Sequence, residues 1–105
     1  MLISKDNFIN YLRKEGYSEW SANGNETTIS KYIYWIERVM RYEMINDWSE
    51  LTNHIQHLLI RYGEFGEMKS FGQEGHSTVI NALRRFMDYL LNECGFVAKT
   101  GIFYV

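Results

Sequence analysis

The feature that most constrains the fold is a run of helical periodicity from Thr27 or Thr28 to about Met44. Its apolar residues recur at steps of three and four positions, which places them within one arc of roughly 120° on a helical wheel. They are Ile29, Tyr32, Ile33, Ile36, Val39 and Met40. A helix with one apolar stripe must bury that stripe against other elements. With 105 residues and no proline, the chain can form one core from long helices.

Three further segments carry helix start and stop signals, namely a capping residue before the first apolar position and a glycine after the last. They run from about Lys5 to Glu15, from Asp47 to Gly63, and from Ser77 or Thr78 to the residue before Gly95. Ser4 is a good N-cap, and Asp47 with Glu50 three residues later is a capping-box-like start. The sequence therefore predicts an all-α, compact four-helix bundle over residues 4–96, followed by a short apolar tail over 97–105.

Residues 63–75 separate the third and fourth predicted helices. They hold four glycines and three glutamates, so we expect a long mobile loop. Together with the third helix, this segment forms the acidic part of the chain, and we expect it to face away from any nucleic acid. The tail ends in Ile102, Phe103, Tyr104 and Val105, and it could be a strand or an extended arm.

Charge and cysteine content narrow the class of protein. The net charge is −2, so no global basic field attracts nucleic acid, and any such site must come from a local arrangement of cations. Cys94 is the single cysteine and cannot form an intramolecular disulfide; its position on an apolar helix side predicts a buried thiol. No apolar run approaches the roughly 18 residues of a membrane span. These features favour a cytoplasmic protein without membrane association.

No sequence motif indicates catalytic activity. The sequence lacks a nucleophile elbow, a phosphate-binding loop and a dinucleotide fingerprint. Glu50, His54 and His57 share one side of the third helix at metal-ligand spacing, although a solvated polar face explains them as well. Arg61 lies on the same side and would repel a cation. We therefore expect no enzyme activity, no cofactor and no metal.

The outer face of the second helix mixes cations with large rings. Opposite the apolar stripe lie Lys31, Tyr34, Trp35, Arg38, Arg41 and Tyr42. Guanidinium and ammonium groups contact phosphates, and rings or amides contact bases and sugars. The alternative is that Trp35 and Tyr42 cover a neighbouring helix and that the cations are solvated charges.

A second polar face follows on the fourth helix. It comprises Ser77, Thr78, Asn81, Arg84, Arg85, Asp88 and Asn92. Hydroxyls at a helix start, an amide and two arginines suit phosphate contact, while Asp88 opposes it. A solvated face is again the alternative.

The order of apolar and capping positions resembles a known family. The pattern is Phe8-x-x-x-Leu12 and Gly16; Thr27-Thr28-Ile29-x-x-Tyr32; Asp47-Trp48-x-x-Leu51-Thr52; and Ser77-Thr78-x-x-Asn81-x-Leu83-x-x-Phe86-x-x-Tyr89-Leu90 with Gly95-Phe96. It resembles the N-terminal core-binding (SAM-like) domain of tyrosine recombinases and phage integrases over about residues 4–96.

This resemblance implies a four-helix domain that clamps one face of duplex DNA with its second and fourth helices. The DNA-facing residues it implies are Thr28, Lys31, Tyr34, Trp35 and Arg38 on one helix, and Ser77, Thr78, Asn81, Arg84 and Arg85 on the other. The family's catalytic domain would follow this segment, and the chain is slightly acidic where the family is basic. The chain is thus either a fragment of a recombinase or a stand-alone relative.

Two functions follow as hypotheses. The first is a non-catalytic DNA-binding module that contacts duplex DNA through the second and fourth helices. The second is a small phage or mobile-element protein-interaction domain or regulator that acts through its acidic face and C-terminal tail. In that case Ile102, Phe103, Tyr104 and Val105 would contact a protein partner or a second copy of the chain.

Overall fold

Five α-helices form the described part of the protein. The computed structural model describes residues 3–17 and 28–97, except for the side chain of His76. The helices are α1 (Lys5–Lys14), α2 (Thr28–Tyr42), α3 (Trp48–Arg61), α4 (Lys69–Gly72) and α5 (Glu74–Glu93). The predicted all-α, compact fold is confirmed, with one helix more than the four expected.

The predicted capping residues start α1 and α3. The Ser4 hydroxyl accepts a hydrogen bond from the Asn7 amide at 3.1 Å, and the Asp47 carboxylate accepts one from the Glu50 amide at 2.7 Å. The Glu50 side chain in turn accepts from the Asn46 amide at 2.9 Å. In a standard capping box this side chain accepts from the backbone amide of the N-cap residue, here Asp47. In this protein it accepts from the residue before the N-cap.

The segment over residues 63–75 is not simply a loop, because it contains α4 and the first two residues of α5. Gly72 is buried, and a Cβ there would lie 2.0 Å from the Tyr62 carbonyl oxygen. A Cβ on Gly66 would lie 2.1 Å from the Arg61 carbonyl oxygen. These glycines permit close packing of the segment on the end of α3, which is the opposite of what their composition indicates. α5 also starts earlier than predicted, at Glu74 and not at Ser77 or Thr78.

The core is centred on α5, which packs against α1, α2, α3 and α4. One end of it is an aromatic cluster in which the Phe8 and Phe86 rings meet edge to face at 5.3 Å. Trp48 lies 5.6 Å from Phe86, and Tyr89 lies 5.6 Å from Phe8. Rings from three helices therefore fix α1 and α3 on α5. Cys94, predicted to be buried, is only partly buried at the edge of this core.

α2 packs against α5 along much of its length. Trp35, in the middle of α2, lies beside Gly75 at the start of α5, whereas Tyr32, one turn earlier, lies near Arg85, further along α5. The first of these contacts places Trp35 of the predicted α2 face against the start of α5. The predicted tail residues Ile102, Phe103, Tyr104 and Val105 lie outside the described residues.

Candidate nucleic-acid interface

The outer face of α2 is exposed as the periodicity predicts. Lys31, Arg38 and Arg41 are exposed, and Tyr34 and Tyr42 are 50% and 62% exposed. The opposite stripe, which includes Ile29, Ile36 and Val39, is buried against the core. The helix therefore presents three cations and two phenol rings to solvent.

Arg38 is held in place by rings and not by a carboxylate. Its Nη1 donates a hydrogen bond to the Tyr34 hydroxyl at 3.0 Å. Its guanidinium carbon lies 5.7 Å from the centre of the Tyr34 ring and 5.4 Å from that of Trp35. A guanidinium stacked on rings is ordered without being neutralised, so its remaining donors can meet an anion.

The described acids of α2 and of the turn that follows it are engaged elsewhere. Glu37 pairs with Lys5 of α1 at 3.3 Å. Glu43 accepts hydrogen bonds from Arg61 Nε at 3.0 Å and from the Tyr62 hydroxyl at 2.8 Å. Within residues 3–17 and 28–97, no carboxylate pairs with Lys31, Arg38 or Arg41. The described side chains of this face therefore carry positive charge without acidic partners, although the net charge of the chain is negative.

Trp35 has a packing role as well as a surface position. It is partly buried and meets Phe71 of α4 edge to face at 5.7 Å. A Cβ on Gly75 would lie 3.7 Å from its indole nitrogen, and the Thr78 hydroxyl donates to the Gly75 carbonyl. Trp35 thus covers neighbouring helices, as the alternative interpretation expected, while Tyr42 remains exposed. It also joins the α2 face to the start of α5, where Thr78 lies.

The remaining residues predicted on α5 divide between two sides of that helix. Ser77, Asn81, Arg84 and Arg85 are all partly buried. Arg84 Nη1 donates to the Asn81 side-chain oxygen at 3.3 Å, and Ser77 and Arg84 line a cleft next to α4. Thr28, the first residue of α2, is also partly buried.

Arg85 is engaged within the fold. Its Nη1 donates to the Tyr17 hydroxyl at 3.4 Å, and its Nε lies 3.1 Å from the Asp88 carboxylate. The bond to Tyr17 raises the pKa of the Arg85 guanidinium, and burial raises the pKa of the neighbouring Tyr32. Arg85 therefore fastens the segment after α1 to α5, and it has fewer donors to offer to a phosphate than Arg38 has.

Sequence reasoning missed the part that α4 plays in this surface. Phe71 supports Trp35, and Lys69 lines the cleft that also contains Arg84. α4 and Gly75 therefore contact Trp35 of α2, while the expectation that the 63–75 segment faces away from nucleic acid stays a prediction. The sequence did hold a signal for α4, because Phe71 and Gly72 follow Met68 at helical steps of three and four. The high glycine content of the segment indicated a loop instead.

The possible metal ligands do not form a centre in the described residues. His54 Nε2 lies 4.0 Å from Glu50 Oε1, and no group of three or more histidine, cysteine or acidic side chains there could hold an ion. In the same part of the chain, no helix combines the length and the hydropathy that crossing a membrane requires.

Comparison of the chain with protein-family models, with curated protein sequences and with solved structures gave no match.

Proposed function

We propose that this domain is a non-catalytic DNA-binding module that contacts duplex DNA through the outer face of α2 and the adjoining start of α5. The observation that carries the proposal is the set of Lys31, Arg38 and Arg41, which are exposed on one helix face and have no carboxylate partner within the described residues. The resemblance to the core-binding domain of tyrosine recombinases also implies DNA contact through these two helices.

Phosphate contact accounts for the arrangement of this face. Arginine and lysine on a helix surface position a protein on the DNA backbone, and each phosphate contact releases counterions. The exposed Tyr34 and Tyr42 hydroxyls add neutral donors beside the cations. Such a face binds duplexes with little dependence on base sequence unless side chains also reach base edges.

Fluorescence anisotropy with a labelled mixed-sequence duplex tests the proposal. We expect Arg38→Ala and Arg41→Ala each to weaken binding by several-fold, because each removes about one phosphate contact. Arg13→Ala is the matched control, because Arg13 is an exposed arginine of α1 outside the proposed face. Equal losses in all three variants would show that the α2 face has no special part in binding.

A second candidate function is supported by exposed apolar residues near the end of α3. Ile60 is 49%, Phe65 91% and Val97 83% exposed, and Ile60 and Val97 line one groove beside His57. A protein-interaction domain or regulator would use this surface. A complex with a protein partner would survive high salt and would weaken in Ile60→Asp. DNA binding would instead be lost at high salt and would not be weakened by Ile60→Asp through loss of an apolar contact.

A further inference from the structure

A polar cleft lies where the end of α3, α4 and the first half of α5 meet. Its volume is about 220 Å³, and its polar lining residues are Glu64, Lys69, Gln73, Ser77 and Arg84. The side chains come from two helices and the turns between them. Gly72 of α4 packs closely on the carbonyl of Tyr62, which also lines the cleft.

Two cations in the cleft lack a carboxylate partner in the described part of the chain. Lys69 is exposed, and Arg84 donates only to the neutral Asn81 side chain, at 3.3 Å. The Arg84 Nε is buried and makes no hydrogen bond within the described residues. Because that nitrogen is closed to solvent, an ion in the cleft would meet the Arg84 guanidinium through its terminal nitrogens.

Neutral donors stand beside these cations. Gln73 contributes a side-chain amide and Ser77 a hydroxyl. Ser77 has a φ of 68°, a left-handed conformation that is unfavourable for a residue with a side chain. Strained residues of this kind occur most often where a side chain must be held in a particular position for function.

We infer that this cleft binds a phosphate group. A guanidinium, an ammonium, a hydroxyl and an amide together supply the charge and the donors that a tetrahedral dianion needs. The group could belong to nucleic acid or to a small phosphate ester. The inference goes beyond the proposed DNA contact, because Lys69 and Gln73 have no part in the α2 face. Either site can therefore fail without the other.

Glu64 is the one acid in the described lining of the cleft. Its carboxylate repels a phosphate dianion, so it reduces the affinity of the site. Neutralising Glu64 should strengthen phosphate binding, whereas neutralising Arg84 should weaken it. Opposite effects from two neighbouring substitutions separate a specific site from a general decline in folding.

The test is a titration of the protein with inorganic phosphate at constant ionic strength, with chloride as the comparison salt. NMR would follow the Gln73 side-chain amide and the Arg84 Nε–H signal. We expect saturable shifts confined to the cleft, weakened about tenfold or more by Arg84→Gln or Lys69→Gln. Glu64→Gln should tighten binding several-fold, and Lys31→Gln on the α2 face should leave it unchanged.

Shifts that do not saturate, that spread over all cations, or that chloride reproduces would overturn the inference. So would Arg84→Gln binding phosphate as tightly as the natural protein while its thermal unfolding is unchanged. Two further titrations distinguish the sources. Cleft shifts with an unlabelled short duplex identify a nucleic-acid phosphate, and shifts with glycerol 3-phosphate alone identify a small ester. If Arg38→Ala loses duplex binding but still binds phosphate, the α2 face binds DNA and the cleft binds phosphate independently of it.

Discussion

At the residue scale, Gly72 allows α4 to pack closely on the end of α3. Gly72 faces the Tyr62 carbonyl so closely that a methyl group would overlap it, with 2.0 Å between the Cβ and the oxygen. The contact is to backbone, which cannot rotate away as a side chain can. At the same join, Tyr62 and Arg61 donate to Glu43, which ties the end of α3 to the turn after α2.

Gly72→Ala should therefore destabilise the protein by about 1–3 kcal/mol, because α4 must shift to admit the methyl group. Urea unfolding followed by circular dichroism measures the change in the free energy of unfolding. Ser70→Ala is the control, because Ser70 is an exposed residue of the same short helix. If both variants unfold at the same urea concentration, the close approach of Gly72 to α3 is wrong.

Tyr62 gives a pH-dependent contribution to stability. Burial, followed by the hydrogen bond to Glu43, raises the pKa of its phenol well above the ordinary value of 10.0. The folded state therefore keeps a proton that the unfolded state loses as the pH rises above that value. The contribution is fully present below about pH 10 and is lost progressively as the pH climbs toward the folded-state pKa.

We expect the free energy of unfolding of the natural protein to fall more steeply from about pH 10 upward than that of Tyr62→Phe, which cannot titrate there. The variant should be less stable at neutral pH, because Glu43 loses one donor. Chemical denaturation across this pH range provides the comparison. Parallel curves for the two proteins would show that the Tyr62 phenol is not held protonated by its surroundings.

At the scale of elements, the helix ends show how the chain changes direction. α1 and α2 both end in a Schellman motif, in which Tyr17 N–H bonds to the Leu12 carbonyl at 3.0 Å and Ile45 N–H bonds to the Met40 carbonyl at 2.8 Å. The left-handed residue is Gly16 in the first motif, with a φ of 98°, but Met44 in the second, with a φ of 60°. Met44 is 83% exposed, so its side chain gains little from packing.

Met44→Gly should therefore stabilise the protein, by about 1 kcal/mol, because glycine has no Cβ penalty in the left-handed region. Met44→Ala keeps the Cβ and is the matched control, for which we expect almost no gain. Thermal unfolding of the three proteins measures the difference. A loss of stability in Met44→Gly would mean that the end of α2 does not have this conformation.

Local signals explain which elements could be predicted. α1, α2 and α3 were predictable because their caps and their periodicity lie within a few residues of each other, as with Ser4 and Asn7 or Asp47 and Glu50. α4 was not, because four residues form no stripe and because the helix depends on Phe71 packing between Trp35 and Tyr62, at 5.7 and 5.9 Å. The Trp35 contact comes from a distant part of the sequence, 36 residues before Phe71.

The same division holds for the candidate interface. The exposure of Lys31, Arg38 and Arg41 follows from the position of the buried stripe on their own helix. The engagement of Arg85 does not, because its partner Tyr17 is 68 residues away in the sequence. Side-chain pairing across the core was therefore the part of the site that periodicity could not supply.

For the whole molecule, the central feature is the separation of charge. Glu37 of α2 and Glu43 after it fasten α1 and α3, so the cations on the outer face of α2 have no carboxylate partner within the described residues, although the protein is acidic. The start of α5 adjoins that face through Trp35 and Gly75. This arrangement allows local attraction of a polyanion, and a salt-dependent interaction is its direct consequence.

The most direct test of this account is the salt dependence of duplex binding by the natural protein and by a Lys31→Ala/Arg38→Ala/Arg41→Ala variant. The association constant would be measured by anisotropy from about 50 to about 200 mM salt, and its logarithm plotted against that of the salt concentration. We predict a steep negative slope for the natural protein and a slope shallower by about three for the variant, one for each phosphate contact removed. No binding at the lowest salt concentration, or equal slopes for the two proteins, would contradict the assignment of DNA contact to the outer face of α2.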